Sequence, residues 1–456
     1  MKTYLIVGVI LVAIVALLAT NKKLVETLKN IYKIDELRTR ILFTLGLLLI
    51  YRLGSFVTLP GVDHAVLEAW TKNFANDGGS LMGLLNIFSG GAFSQASIFA
   101  LGVMPYITAS IIIQLMGIMV PYFRKMQREG ESGRRRMNQW TRFLTIAVLL
   151  LQAPAYLSTQ VLRSGAVTAT GDFLGITNGQ FIVPAVIILI AGTMFIMWLG
   201  EKITDKGIGN GISLIIMIGI VARLPQSFLQ ELMFQTTGGG SIIMLLVELI
   251  FLALVFMLAI AIVQAVRKIP VQYAKRIVGN KQYGGVRQYI PLKLNAANVM
   301  PIIFAQALMF IPGLIWGGAW LDITSFWYNF TLAVLVIAFT YFYTAIIVNP
   351  QMMADDMKRN GGFIPGVKPG KSTVTYIDNI MTRITLPGSI FLAIITVLPA
   401  IAMTIGITQG FAYFFGGTSL LIMVGVVLDT LKQIESYLLM RHYDGLMKTG
   451  RIQGRY

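Results

Sequence analysis

Residues 103–107 read VMPYI and residues 299–303 read VMPII, an offset of 196 residues in a chain of 456. Each pentapeptide leads into a largely apolar stretch, and each stretch carries one glutamine further along, Gln114 in the first and Gln306 in the second. Matching short interruptions in two halves of an apolar chain mark the central pathway of repeated membrane folds. Chance similarity in an apolar sequence is the alternative. The two amides read equally well as glue between helices or as part of a gate, because an amide in lipid needs a partner helix or water.

Outward from these motifs, apolar segments recur at 41–57, 97–118, 143–158, 181–199, 211–222, 241–266, 295–316, 327–348, 384–404 and 418–440. Most approach the roughly 20 residues that carry a helix across a bilayer. Composition agrees: 56% of residues are hydrophobic and 12% charged, about half the charged share of a soluble domain, and the mean hydropathy is +0.73. The expected class is an all-α polytopic membrane protein with ten transmembrane helices. Alternate gaps between the segments, with the two flanks, hold 31 of the 37 Lys and Arg residues, whereas the opposite gaps hold only Lys72, Arg163 and Arg223. Positive charge stays on the cytoplasmic side, which predicts both ends of the ten-helix core in the cytoplasm. The second of the first five segments then matches the second of the last five, dividing the chain into 22–240 and 241–440, with a tail at 441–456. Residues 1–21, with an apolar run from Tyr4 to Ala19 after Lys2, read as a signal-like stretch, an eleventh span or an upstream-start artefact, and their role stays open.

Several function classes drop out. Cysteine is absent and only two histidines exist, His64 and His442, so disulfide scaffolds, Cys-ligated metals and HExxH zinc sites have no residues to build on. No GxSxG elbow, P-loop or GxGxxG is present. The ionisable residues within or beside the segments, Arg52, Glu248, Asp429, Lys432 and Glu435, read as structural or snorkelling groups. Asp429 and Lys432 stand three apart and are placed to pair. They do not form the carboxylate chain a proton-driven transporter needs.

Two regions stand out as candidate sites. Residues 78–102, GGSLMGLLNIFSGGAFSQASIFALG, are broken by Gly90, Gly91 and several serines, too polar to face lipid throughout. Such backbone must be buried in protein or line a cavity, which predicts a re-entrant half-helix; a surface loop with an amphipathic helix is the alternative. Residues 267–294 carry Arg267, Lys268, Lys275, Arg276, Lys281, Arg287 and Lys293 with no acidic residue, interleaved with Tyr273, Tyr283 and Tyr289. That balance suits an acidic or phosphate-bearing surface such as RNA, or simply records topology. Residues 349–383 mix Lys358, Arg359, Lys368 and Lys371 with Asp355, Asp356 and Asp378, around a Gly/Pro-rich GGFIPGVKPG that favours a fixed, projecting turn.

Six motifs taken together, EGESGRRR (129–136), LGVMPYITASIIIQLM (101–116), MWLGEKITDKGIGNGIS (197–213), VQYAKR (271–276), PLKLN (291–295) and FGGTSLLI (415–422), resemble the SecY family, channel-forming subunits of the bacterial Sec protein translocase. The resemblance runs in order from about residue 22 to the C-terminus. It implies two pseudo-symmetric five-helix halves around an hourglass pore, a re-entrant plug, and a lateral gate between the second and seventh helices. The matching pore-ring positions are Val103, Ile107, Ile216, Ile303 and Ile422, with Val103 where the family often has Ile. The plug maps to 80–96, with Ser89, Gly90 and Gly91 as its breaks, and gate polarity to Thr108, Gln114 and Asn295. Partner docking maps to Arg267, Lys268, Lys275, Arg276 and Lys368, the last standing where the family usually has Arg; Lys keeps the charge and loses the planar fork. The implied partners are the SecE and SecG subunits, the SecA motor ATPase, the ribosome, secretory and membrane-protein substrates and the lipid bilayer of the bacterial cytoplasmic membrane. No cofactor is implied, and energy must come from partners. An inverted-repeat secondary transporter of small solutes is the alternative function; an intramembrane enzyme lacks a visible nucleophile with its base, or a metal site.

Overall fold

In a computed structural model of the chain, the described residues are 34–63, 65–67, 69–70, 86, 88–167, 178–237, 241–273, 276–278, 281–283, 287–316 and 322–449. Residues 1–21, residues 80–85 and 87 of the expected plug, Lys275 and the tail beyond 449 lie outside them.

The apolar segments fold as helices whose ends follow local capping chemistry. Helix α1 (Asp35–Gly54) starts with two acids and ends near Arg52, a charge order that suits the helix dipole. Helix α2 (Met104–Met119) begins with Pro105 in its first turn and turns sharply into α3 (Pro121–Arg128), the two axes bending by 99°. Pro121 supplies no backbone donor and disfavours helix at Val120, whose ψ of 120° is extended. Helix α4 (Glu131–Tyr156) runs into a wide turn at Leu157–Leu162 just after Pro154. Helices α5 (Asn178–Lys206) and α6 (Gly211–Thr237) complete the first half.

The second half opens with α7 (Ile242–Gln264), capped by the Ser241 side chain accepting from the Met244 N–H. Helices α8 (Met300–Trp316), α9 (Phe326–Ile347) and α10 (Pro350–Arg359) follow. Asn349 caps α10, its Oδ1 accepting from Gln351 N at 3.0 Å and Met352 N at 3.2 Å. Helix α11 (Lys371–Ile405) ends at left-handed Gly406, with Ile407 N bonded back to Ala402 O, a Schellman closure. A single turn, α12 (Gln409–Ala412), leads to α13 (Gly417–Thr449).

Seven of these helices are long and apolar enough to cross a membrane, and the bent α2–α3 pair makes an eighth if it is one span. Helix α1 carries five charged residues and α8 is only 17 residues long; each nonetheless coincides with one of the ten apolar segments.

The stretch 267–294, expected as a basic loop, is a β ribbon. Strand β1 (Val266–Tyr273) pairs antiparallel with β4 (Arg287–Lys293), in register from Val266 opposite Lys293 to Gln272 opposite Arg287. Strands β2 (Arg276–Val278) and β3 (Lys281–Tyr283) form a second small pair. Strand β5 (Gly362–Phe363) adds to the other edge of β1. Ile269, Val271 and Leu292 of the ribbon bury against Met357, Ile364, Ile377 and Met381, so the two basic regions form one body.

The main apolar core draws on α1, α5–α9, α11 and α13, together with residues 88–103. A second core packs residues 59–67 and 93–101 against α4 and α5. Residues 88–103 thus lie between both cores, inside the bundle.

Candidate functional site at the centre of the bundle

Val103 precedes α2, and its carbonyl accepts from Ile107 N at 3.1 Å. Val103, Ile216 of α6 and Ile422 of α13 are buried together in the main core, and Ile107 packs against it half-buried. Ile303 of α8 is half-buried and outside that cluster, whereas its neighbour Ile302 is fully buried within it. Successive helical residues point about 100° apart, so only one of the two faces the packed centre. Four of the five expected ring positions therefore belong to or pack against the one large apolar core.

Against this apolar centre sit residues 88–96, folded into tight turns. Gly90 and Gly91 have φ of +64° and +97°, left-handed values open to Gly at no steric cost. Gly90 lies so close to α6 that a Cβ there would fall 2.9 Å from Gly219 Cα, and Gly219 is one turn beyond Ile216. Ser89 closes the turn: its hydroxyl donates to Asn86 O at 3.2 Å and accepts from Phe93 N at 3.0 Å. Two arginines hold the segment, one from α1 and one from α6. Arg52 of α1 donates from Nη1 to Gly90 O at 2.9 Å, with its guanidinium 4.7 Å from the Phe56 ring centre. Arg223 of α6 donates from Nη2 to Ser94 Oγ at 3.2 Å. From α4, the buried Tyr156 hydroxyl donates to Phe93 O at 2.7 Å.

The expected gate residues are not joined across helices among the described residues. Thr108 donates to Met104 O at 3.1 Å, the back-bond a helical threonine makes to its own preceding turn. Exposed Gln114 donates to Ser110 Oγ at 3.4 Å on the same helix. Asn295 is buried in the turn before α8, with Oδ1 lacking a partner among the described residues. Of the two matched glutamines, Gln306 is the one that bridges, accepting from Thr418 Oγ1 of α13 at 3.5 Å.

Of the docking residues, Arg267 and Lys268 are exposed on β1 and Lys368 is exposed in the turn between β5 and α11. Arg276 begins β2. Asp429 and Lys432 form no ion pair among the described residues; both side chains are exposed.

Of the two readings open for Arg52, structural or snorkelling, its bond to Gly90 O supports the structural one; what the sequence does not show is that Arg223 joins it on the same segment. An arginine stranded in apolar sequence was the available signal. The site offers backbone, hydroxyl and apolar surfaces, and no group of three or more His, Asp or Glu side chains is arranged to hold a metal among the described residues.

Fold and site together define a multi-pass helical membrane protein whose centre is an apolar junction occupied by an inserted segment. The family model of SecY matches residues 97–431, and the chain belongs to the SecY family. A protein translocase subunit SecY of Corynebacterium glutamicum is 41% identical over 445 residues, covering 91% of this chain and 98% of its own. The same subunit of Mycobacterium tuberculosis H37Rv is 42% identical over 438 residues, covering 91% and 97%. Among solved structures, a protein-conducting channel aligns with TM-score 0.60 at 16% identity, covering 87% of this chain and 91% of its own. Sec61 in the canine ribosome-channel complex aligns with TM-score 0.56 at 15% identity, covering 87% and 91%. The chain is a protein-conducting channel of the translocon, and the small-solute transporter reading is set aside, because relatives named as translocase subunits span nearly its whole length.

Proposed function

We propose that the junction of Val103, Ile107, Ile216, Ile303 and Ile422 is the seal of the pore and that residues 80–96 are its plug. One observation carries this reading: the Gly90–Gly91 turn lies against α6 one helical turn from Ile216, in the core that also holds Val103 and Ile422. An apolar collar resists ions by dewetting and offers a moving polypeptide no sticky polar partner. Unfolded secretory chains cross when the inserted segment leaves, and apolar helices pass sideways into lipid between α2 and α8. Thr108, Gln114 and Asn295 line that gate, and the bonds Thr108 and Gln114 make within α2 leave them without cross-helix ties among the described residues.

The joined cytoplasmic body, with Arg267, Lys268, Arg276 and Lys368, is the docking surface for the SecA motor and the ribosome, and Lys275, outside the described residues, is assigned to it by sequence. SecE and SecG complete the channel complex in the bacterial cytoplasmic membrane, with both ends of the ten-helix core in the cytoplasm, as the charge split of 31 to 3 supports. Energy comes from those partners rather than from chemistry in this chain.

The test places a photo-crosslinking residue at Ile107 in native membranes and offers an arrested secretory chain. Crosslinks that require a functional signal sequence are the expected result. No crosslink at Ile107, with a control crosslink at Arg276 intact, would sink the pore assignment.

A further inference from the structure

A second buried polar cluster lies away from the junction, where the chain passes from α6 to α7 through Gly238, Gly239 and Gly240. Glu231 on α6 is 0% exposed and Glu248 on α7 is 2% exposed. Gln235, 4% exposed, stands between them: its Nε2 donates to Glu231 Oε1 at 2.8 Å and to Glu248 Oε1 at 3.0 Å. Glu231 Oε2 also accepts from Thr408 N at 2.8 Å and from the Thr408 hydroxyl. Thr408 precedes α12, so one cluster ties α6 to α7 and to the segment leading into α13.

Counting donors and acceptors exposes a deficit. Glu231 receives three donors, Glu248 one. Glu248 Oε2 and Gln235 Oε1 are both buried without a partner among the described residues. No Lys or Arg forms an ion pair with either carboxylate among those residues. The facing groups are Glu231 and Gln235 from α6 and Thr408 from the segment before α12. Beside α7, Phe251 stacks on Phe415 at 5.9 Å. The charged residues Asp429, Lys432 and Glu435 of α13 lie more than three turns beyond Gly417. Two carboxyl groups sharing a buried site resist ionising together, and an isolated buried carboxylate tends to hold its proton rather than bear the desolvation cost.

We propose that Glu231, Gln235, Glu248 and Thr408 form a proton-binding clasp: one proton on Glu248 closes the cluster, and its loss to the outer solution sets two like charges against each other and loosens the join between the halves. The mechanical part rests on the two-half reading; the proton site does not. The clasp is closed when the outer face is acidic and opens as that face becomes alkaline.

The experiment uses the full channel complex in lipid. Isotope-edited infrared difference spectroscopy of glutamate carboxyls should show a protonated-carboxyl band in the wild type that disappears on raising the pH and is missing in E248Q. Ion leak from proteoliposomes should rise several-fold as the outer buffer goes from mildly acidic to mildly alkaline, and E248Q should stay at the acidic level throughout. The wild-type pH series stands alone if E248Q does not fold. A wild type without a protonated band, or an E248Q protein that keeps the band, overturns the proton site. A band that titrates while leak stays flat with pH overturns the clasp. Should neither protein leak ions at any pH while E248Q still removes the band, the clasp likewise falls and the proton site stands.

Discussion

At Gly90 two constraints coincide: a φ of +64° and a backbone neighbour in Gly219 at 2.9 Å from where a Cβ would stand. An L side chain in that conformation costs about 1–2 kcal/mol, before the clash is counted. G90A is therefore expected to raise resting ion leak more than G219A, whose new methyl meets Phe88 O at 3.1 Å in an ordinary helical conformation. Equal leak from the two would argue against a seat that depends on this contact. Removing Arg52 deletes a charged donor to Gly90 O, a bond of about 1.5–3 kcal/mol; R52A should leak and R52K should partly recover, read as ion flux at matched protein levels. The neighbours Ile302 and Ile303 separate packing from sealing. I302A empties a fully buried site and should cost about 2–5 kcal/mol of stability, whereas I303N should fold at normal abundance and leak or tolerate defective signal sequences. Normal sealing in I303N would remove that position from the ring.

Among the elements, the β ribbon shows where sequence reading ran out. VRKIPVQY and RQYIPLK do alternate, with Ile269, Val271 and Leu292 inward, yet each contains a proline, which argues against a sheet. The register explains the exception: Pro270 sits opposite Tyr289, and β5 pairs with β1 only at Gln272 and Tyr273, so Pro270 lacks a neighbour on that edge. Charge reversal of exposed Arg267 and Lys268 to Glu, or of Lys368 to Glu, should weaken partner binding and flatten its salt dependence, because fewer cations meet an anionic surface. Membrane insertion should be unchanged. Translocation at the wild-type rate in both variants would remove docking from this surface. Helices were far more legible, because apolar runs bounded by basic gaps report burial in lipid directly. The gate was less so: Thr108 and Gln114 satisfy themselves within α2, and one-dimensional spacing does not say which partner a hydroxyl or amide will choose.

On the scale of the whole molecule, each of the matched pentapeptides opens a helix, α2 and α8, and the arginines that secure residues 88–96 were hidden because their partners are backbone and hydroxyl atoms from distant sequence. A cysteine-free chain makes this arrangement directly testable. Cysteines at positions 94 and 223, whose native side chains meet at 3.2 Å, should be joined in the resting channel by a short bifunctional thiol reagent with a disulfide in its linker. The link should then block secretion, and a thiol reductant should restore it. Secretion that proceeds with the link intact would show that the turn need not leave α6.

The ribbon also has a mechanical meaning. Leu294 N bonds to Ala265 O at 2.9 Å, closing the foot of the ribbon where α7 ends and the turn toward α8 begins, while β5 fastens its far end to the chain entering α11. A paired ribbon resists bending better than a loose loop, so a push at its tip arrives at three transmembrane helices together. Whatever grips this basic body holds a handle, and the stiffness of seven paired residues on each strand is what turns a grip into leverage.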